Sequence, residues 1–223
     1  IAKSSGVSEA TVVRFAKSMG YSGYPDFQRE VRRIVRAGLR SWERFMMSTA
    51  QQPEARTKLH EIADKERENI ANLVASIDER AVADAVHLLK RASEVIVVGV
   101  RSTASLAQHR FTTISSETYD YLSKADKRAC VVVIGFPRYL ADLARLLEFA
   151  KSRQLKTLTI TDSPFSPLRG KVTLCVPRES VMFIAFNAAP LVLINYLLHE
   201  LSIVDQKKTL DALDRFEIVA EGD

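Results

Sequence analysis

Through the first ninety positions apolar residues recur at helical intervals, and then the period changes. Val12, Phe15, Ala16 and Met19 form one stripe, with Ser8 placed as an N-cap before it and Gly20 as a stop after it. That pattern predicts a helix over 9–19. Phe27, Val31, Ile34, Val35, Leu39 and Phe45 predict one helix over 26–50, with a basic outer face. The polar run around Pro53 reads as a linker. Leu59, Ile62, Ile70, Leu73, Val74 and Ile77 mark another helix, and Asp78 caps the next, DERAVADAVHLLKRA. From Glu94 onward short apolar runs take over: EVIVVGV, ACVVVIGF, LKTLTITDS and VTLCVP. Runs apolar throughout suit strands buried on both faces. Helices are predicted between the first three, over 102–114 and 138–153, and PFSPLRG reads as a loop. A long buried helix is predicted over 180–201 and an amphipathic one over 205–220. Strand–helix alternation of this kind means an α/β domain with a parallel sheet and helices on both faces. Ligands of such sheets bind beyond the carboxyl ends of the strands.

Composition narrows the class. The longest apolar run, VMFIAFNAAPLVLINYLL, is interrupted by Asn187, Pro190 and Asn195, so it reads as a buried helix and not as a membrane span. The first twenty residues carry no secretory pattern, and a cytoplasmic location is expected. Cys130 and Cys175 lie inside apolar strand-like runs, as buried reduced thiols do. No metal-ligand spacing is present, and no cofactor is expected.

Charge changes the picture more. The first 60 residues carry eleven Lys and Arg against five Asp and Glu, a net +6, while the rest of the chain is −1. The whole positive excess therefore sits in the first quarter, as in a polyanion-binding module joined to a near-neutral domain. The predicted helix over 9–19 fits that role. Gly6 supplies a tight turn before it, and Ala2 and Val7 can pack beneath it. This is the arrangement of a helix-turn-helix, whose second helix enters the major groove. Thr11, Arg14 and Lys17 lie opposite the apolar stripe, where they can reach bases or phosphates, with Ser8 at the helix start.

The stretch GVSEATVVRFAKSMGYSGYPDFQ resembles the helix-turn-helix of the RpiR/MurR family of bacterial transcriptional regulators. That domain has a helix and a half before this stretch. The resemblance thus implies an all-α helix-turn-helix truncated at its start, over 1–50, then a linker and helix over 51–77. It implies a SIS (sugar isomerase) domain over 78–223, an αβα sandwich with a parallel sheet that binds an effector and dimerises. The expected partners are double-stranded operator DNA, a small anionic effector and at least one further copy of the chain, with no membrane.

The strand ends supply the effector candidates. After the first strand, Ser102 and Thr103 stand at a predicted helix N-terminus, which suits a phosphate or carboxylate. The family's phosphosugar binders carry a Ser-x-Ser-Gly-x-Ser/Thr run after the second ligand-side strand. This chain has GFPRYLAD there, so Arg138 replaces the hydroxyl cradle, with Phe136 and Tyr139 able to cover a ring or apolar body. Ser163 and Glu179 are second-tier candidates at later strand ends. The family also has a strand between RFTTI and SSETYDYL, where Ile114 runs directly into Ser115. Either that strand is lacking or the sequence is joined across omitted residues, and the second is favoured. A SIS-fold sugar-phosphate isomerase or aminosugar enzyme is the alternative. It needs a base beside a carbonyl, and only Glu179 stands near a strand end, so no catalytic residue is assigned. A ligand-free oligomerisation module is the third reading.

Overall fold

The computed structural model describes residues 8–38, 43, 46, 55–100, 103, 106, 113–178, 187–206, 209–211 and 214. The chain divides into two compact units, one over Ile1–Gln52 and one built mainly from Pro53 onward.

In the first unit, α1 (Glu9–Ser18) starts as expected. Ser8 is its N-cap, and the Ser8 hydroxyl accepts from the Thr11 N–H at 3.2 Å. Its end is a Schellman turn. Gly20 has φ +89°, its N–H donates to the Lys17 carbonyl, and the Tyr21 N–H donates to the Ala16 carbonyl. Only a residue without Cβ takes that backbone freely. The helix α2 (Tyr24–Gly38) begins beyond a turn that Asp26 holds, accepting from the N–H and the hydroxyl of Ser22. The Ser22 N–H, offset by some desolvation, holds the Asp26 carboxyl below its ordinary value. The stripe predicted on α1 is only partly covered. Ala16 is fully buried, whereas Phe15 and Met19 stay about half exposed, although Phe15 meets Phe27 edge-on at 5.5 Å. Two short helices cannot enclose side chains of that size. Most of the continuation predicted to residue 50 lies outside the described residues.

The second unit is a three-layer sandwich. Among the described residues its main helices are α3 (Ala55–Ser76), α4 (Glu79–Lys90), α5 (Ser116–Lys124), α6 (Ala141–Ser152) and α7 (Ala188–Val204). Its strands are β1 (Val95–Gly99), β2 (Cys130–Ile134), β3 (Lys156–Thr161) and β4 (Val172–Cys175). They pair in parallel in the order β1-β2-β3-β4. The alternation of side chains builds both cores. Cys130, Val132 and Ile134 join Leu158, Ile160 and Leu174 beneath α3, α4 and α7. Val131 and Val133 join Ile96 and Val98 beneath α5 and α6. Successive right-handed crossovers in one direction place α5 and α6 on the same face. The other face is left for the helices that precede β1 and follow β4.

Local chemistry fixes the edges of these elements. Asp78 caps α4 as predicted, accepting from the N–H groups of Arg80 and Ala81. Ser115 starts α5, its N–H donating to the Thr118 hydroxyl at 3.2 Å. Among the described residues no strand intervenes between β1 and β2. The helix expected over 138–153 begins at Ala141, because Arg138 has φ +69° and cannot join a right-handed helix. The helix expected over 180–201 begins at Ala188, with Pro190 tolerated in its first turn. Its N-terminus is capped from a distance, since one carboxylate oxygen of Glu66 on α3 accepts from the N–H groups of Asn187 and Ala188 at 3.1 and 3.3 Å. A carboxylate there satisfies two orphan donors and complements the helix dipole.

Candidate functional site

The first unit presents one polar face. Thr11, Arg14 and Lys17 are exposed on α1, three residues apart, so they stand in one row along the helix. Ser8 is committed at the start of that row. Its hydroxyl lies 2.9 Å from the Thr11 hydroxyl, and the Arg14 guanidinium donates to the same Thr11 oxygen at 3.2 Å. Cap, threonine and arginine thus form one chain of hydrogen bonds that points the guanidinium along the start of the helix. A row of two cations and a hydroxyl on a capped helix can meet phosphates and base edges.

In the second unit the carboxyl ends of the strands converge. Thr103 is buried (3 % exposed), and its hydroxyl is within reach of the carbonyls of Val100 (2.9 Å) and Ile134 (3.1 Å). Its N–H also donates to Val100. The hydroxyl predicted to hold an anion therefore ties the ends of β1 and β2 together. A hollow of ≈ 90 Å³ opens beside it, lined by Val100, Thr103, Gly135, Phe136, Pro137 and Arg138 among others. Arg138 is exposed at this mouth, and its left-handed backbone sets it there at a strain of about 1–2 kcal/mol. At Gly135 an added Cβ would stand 2.2 Å from Leu168 Cδ1, so a larger residue would need the Leu168 side chain to shift. A larger hollow of ≈ 300 Å³, among Lys127, Arg153 and their neighbours, lies at the amino ends of the strands. Parallel sheets of this kind do not place ligands at that end.

Two features of this end were not foreseen. Asp162, buried after β3, accepts a hydrogen bond from the Tyr139 hydroxyl, so it joins the loop after β2 to the end of β3. Arg178, the residue directly after the predicted run VTLCVP, places its guanidinium 4.4 Å from the centre of the Phe136 ring. Phe136 is buried under that cation and does not stand open to cover a ligand. The signal for Arg178 was its position at a strand's carboxyl end, the same signal that singled out Arg138. Ser163 is buried, and its hydroxyl accepts from the Phe165 N–H at 3.2 Å, shaping the β3–β4 loop. Ser102 and Glu179 lie outside the described residues. No cluster of three or more His, Cys, Asp or Glu suited to a metal occurs among the described residues. None of the described helices is long and apolar enough to cross a membrane.

The helix-turn-helix domain of the rpiR family matches residues 1–35, and the SIS domain matches residues 88–200, half of the chain. The chain belongs to the RpiR family of helix-turn-helix proteins with a SIS domain. Among its relatives, the HTH-type transcriptional regulator HexR of Pseudomonas aeruginosa is 29% identical over 195 residues, covering 79% of this chain and 65% of the relative. An uncharacterised HTH-type transcriptional regulator of Haemophilus influenzae is 27% identical over 184 residues, covering 75% of this chain and 63% of the relative. The chain thus spans just under two thirds of the length of both. Among solved structures, the sugar isomerase domain of an RpiR transcription factor from Sphaerobacter thermophilus has a TM-score of 0.64 at 22% identity, covering 70% of this chain and 96% of that one. The Vibrio vulnificus NanR protein, complexed with ManNAc-6P, has a TM-score of 0.62 at 17% identity, covering 99% of this chain and 84% of that one. Both likenesses establish the SIS fold.

Proposed function

We propose that this protein is a DNA-binding transcriptional regulator whose SIS domain senses a small anionic metabolite and adjusts operator binding. The observation that carries the reading is the union, in one chain, of an RpiR-type helix-turn-helix with a SIS domain. The exposed row of Thr11, Arg14 and Lys17, in the segment that holds the whole positive excess, supports the DNA half. The relatives named above are HTH-type transcriptional regulators, which favours a regulator over an isomerase. Action on operator DNA goes with a cytoplasmic location and with a homodimer or higher homo-oligomer, because two recognition helices meet two half-sites about one helical turn apart.

The effector is a phosphosugar or another organic anion at the strand ends. Support for a phosphosugar comes from the NanR relative, whose structure contains ManNAc-6P. Arg138 is the leading anion contact, exposed at the mouth of the hollow. Arg178 adds a second cation through its stacking on Phe136, and Ser163, buried beyond the end of β3, is a second-tier candidate. Thr103 supports these groups by holding β1 to β2. A ligand regulates here if it favours one arrangement of the dimer over another.

The test is a thermal-shift screen of the full chain against phosphosugars and organic acids. A binder present at about 100 times its Kd should raise the melting temperature by roughly 5–10 °C, since it stabilises by mass action. Arg138→Ala should abolish the shift for the best hit. An unchanged shift in that variant would place the anion elsewhere, and turnover of a hit to a product would favour the isomerase reading.

A further inference from the structure

We infer that the hollow at the strand ends takes a small aliphatic monocarboxylate and not a phosphosugar. This rests on the reading above that an anion binds there, and it names the anion's class. A phosphate monoester carries about −1.5 to −2 charges near neutral pH and three strong acceptor oxygens, so it asks for several converging donors. A sugar adds hydroxyls, and each of those needs a partner once it leaves water. The described donors around the hollow are turned elsewhere. The Thr103 hydroxyl faces the carbonyls of Val100 and Ile134, and the Gly135 N–H donates to the Ile160 carbonyl at 3.0 Å. The Tyr139 hydroxyl donates to Asp162. The run GFPRYLAD contains no serine or threonine.

The hollow offers apolar wall and one guanidinium instead. Val100, Phe136 and Leu143 are buried, Pro137 and Leu140 half-buried, and all five line it, with exposed Arg138 at the mouth. Its ≈ 90 Å³ matches the share of liquid that about three water molecules take, at about 30 Å³ each. That volume admits a short hydrocarbon tail and excludes a sugar ring. The planar fork of an arginine meets a carboxylate with two parallel hydrogen bonds and a single opposite charge. Asp162, buried after β3 and held by the residue that follows Arg138, adds a negative charge at this end of the sheet. A dianion meets that charge at greater cost than a monoanion does. Apolar walls with one polar anchor are the ordinary design of a small-ligand site.

The experiment is titration calorimetry of the full chain with sodium acetate, propionate, butyrate and hexanoate at constant ionic strength, beside glucose 6-phosphate. Affinity should rise about fourfold per added methylene up to butyrate, the gain for burying one CH₂, and level off by hexanoate as the hollow fills. Leu140→Ser removes one wall at the N-cap of α6, where serine is a favoured residue, so the fold should persist. That variant should flatten the rise to under twofold per methylene. Arg138→Ala should weaken the whole series about tenfold or more with the rise unchanged. If Leu140→Ser fails to fold, the parent's series decides alone. Affinity that ignores tail length, or no binding by any of the four carboxylates, would overturn the inference. So would tighter binding of glucose 6-phosphate than of butyrate, although that result leaves the anion-sensing regulator standing. Fluorescence polarisation with promoter DNA separates the readings the other way. Butyrate that binds with this tail dependence yet leaves DNA affinity unchanged supports the pocket and refutes the sensor.

Discussion

Cys130 shows how far burial alone sets a residue's chemistry. It is 0 % exposed in the middle of the sandwich, and desolvation pushes its thiol from 9.0 up to about 12, only partly offset by a hydrogen bond from the main chain. The folded thiol therefore stays protonated where the unfolded one ionises. Its contribution to stability is complete below pH 9 and falls by about 1.4 kcal/mol per unit as pH rises toward 12. At pH 8 the native protein should leave Cys130 unlabelled by a maleimide, with half-buried Cys175 the faster of the two to react, and both should label in denaturant. Rapid native labelling of Cys130, read by peptide mass spectrometry, would show the core to be open. Burial of both cysteines was legible from the apolar runs around them, although Cys175 is only half covered. The roles of polar residues were less legible. Thr103 was chosen for its hydroxyl, yet the direction of that hydroxyl depends on the Ile134 carbonyl of a neighbouring strand, which no local pattern reveals. Arg178 escaped notice because its partner, Phe136, is forty-two positions earlier in the chain.

Among elements, the caps were readable because they are local. Ser8, Gly20 and Asp78 act within four residues of themselves, and each stands where the sequence placed it. The cap of α7 was not readable, because its acceptor, the Glu66 carboxylate, belongs to α3, more than a hundred residues away. Glu66 is half-buried and holds two main-chain N–H groups, so Glu66→Ala should lower stability by about 1–2 kcal/mol in urea unfolding at unchanged slope. A loss below a few tenths of a kcal/mol would mean that water replaces the carboxylate without cost. The same bond joins α7 to α3, the first helix after the boundary at Gln52, so an effector that disturbs the start of α7 also disturbs α3. A glutamate amid a polar helical run gives no sign of this, since its spacing is that of any solvated face.

At the scale of the molecule, the architecture was legible because parallel strands buried on both faces leave continuous apolar runs, and all four became strands in the order of the sequence. Of the helix expected over 102–114, only Thr103, Leu106, Thr113 and Ile114 are among the described residues, and the last two are not helical. The charge asymmetry, +6 over the first 60 residues against −1 over the rest, pointed to a separate polyanion-binding module. That segment makes the salt dependence of DNA binding the most direct measure of whether this chain reads DNA through α1. The full chain should bind a fragment of its own promoter with log affinity falling linearly and steeply against log salt, through counterion release. Arg14→Ala should weaken binding and, where the guanidinium meets a phosphate, reduce the slope by about 1. Binding that is absent at low salt, or equal affinity and slope in the parent and Arg14→Ala, would contradict a recognition helix whose contacts include Arg14.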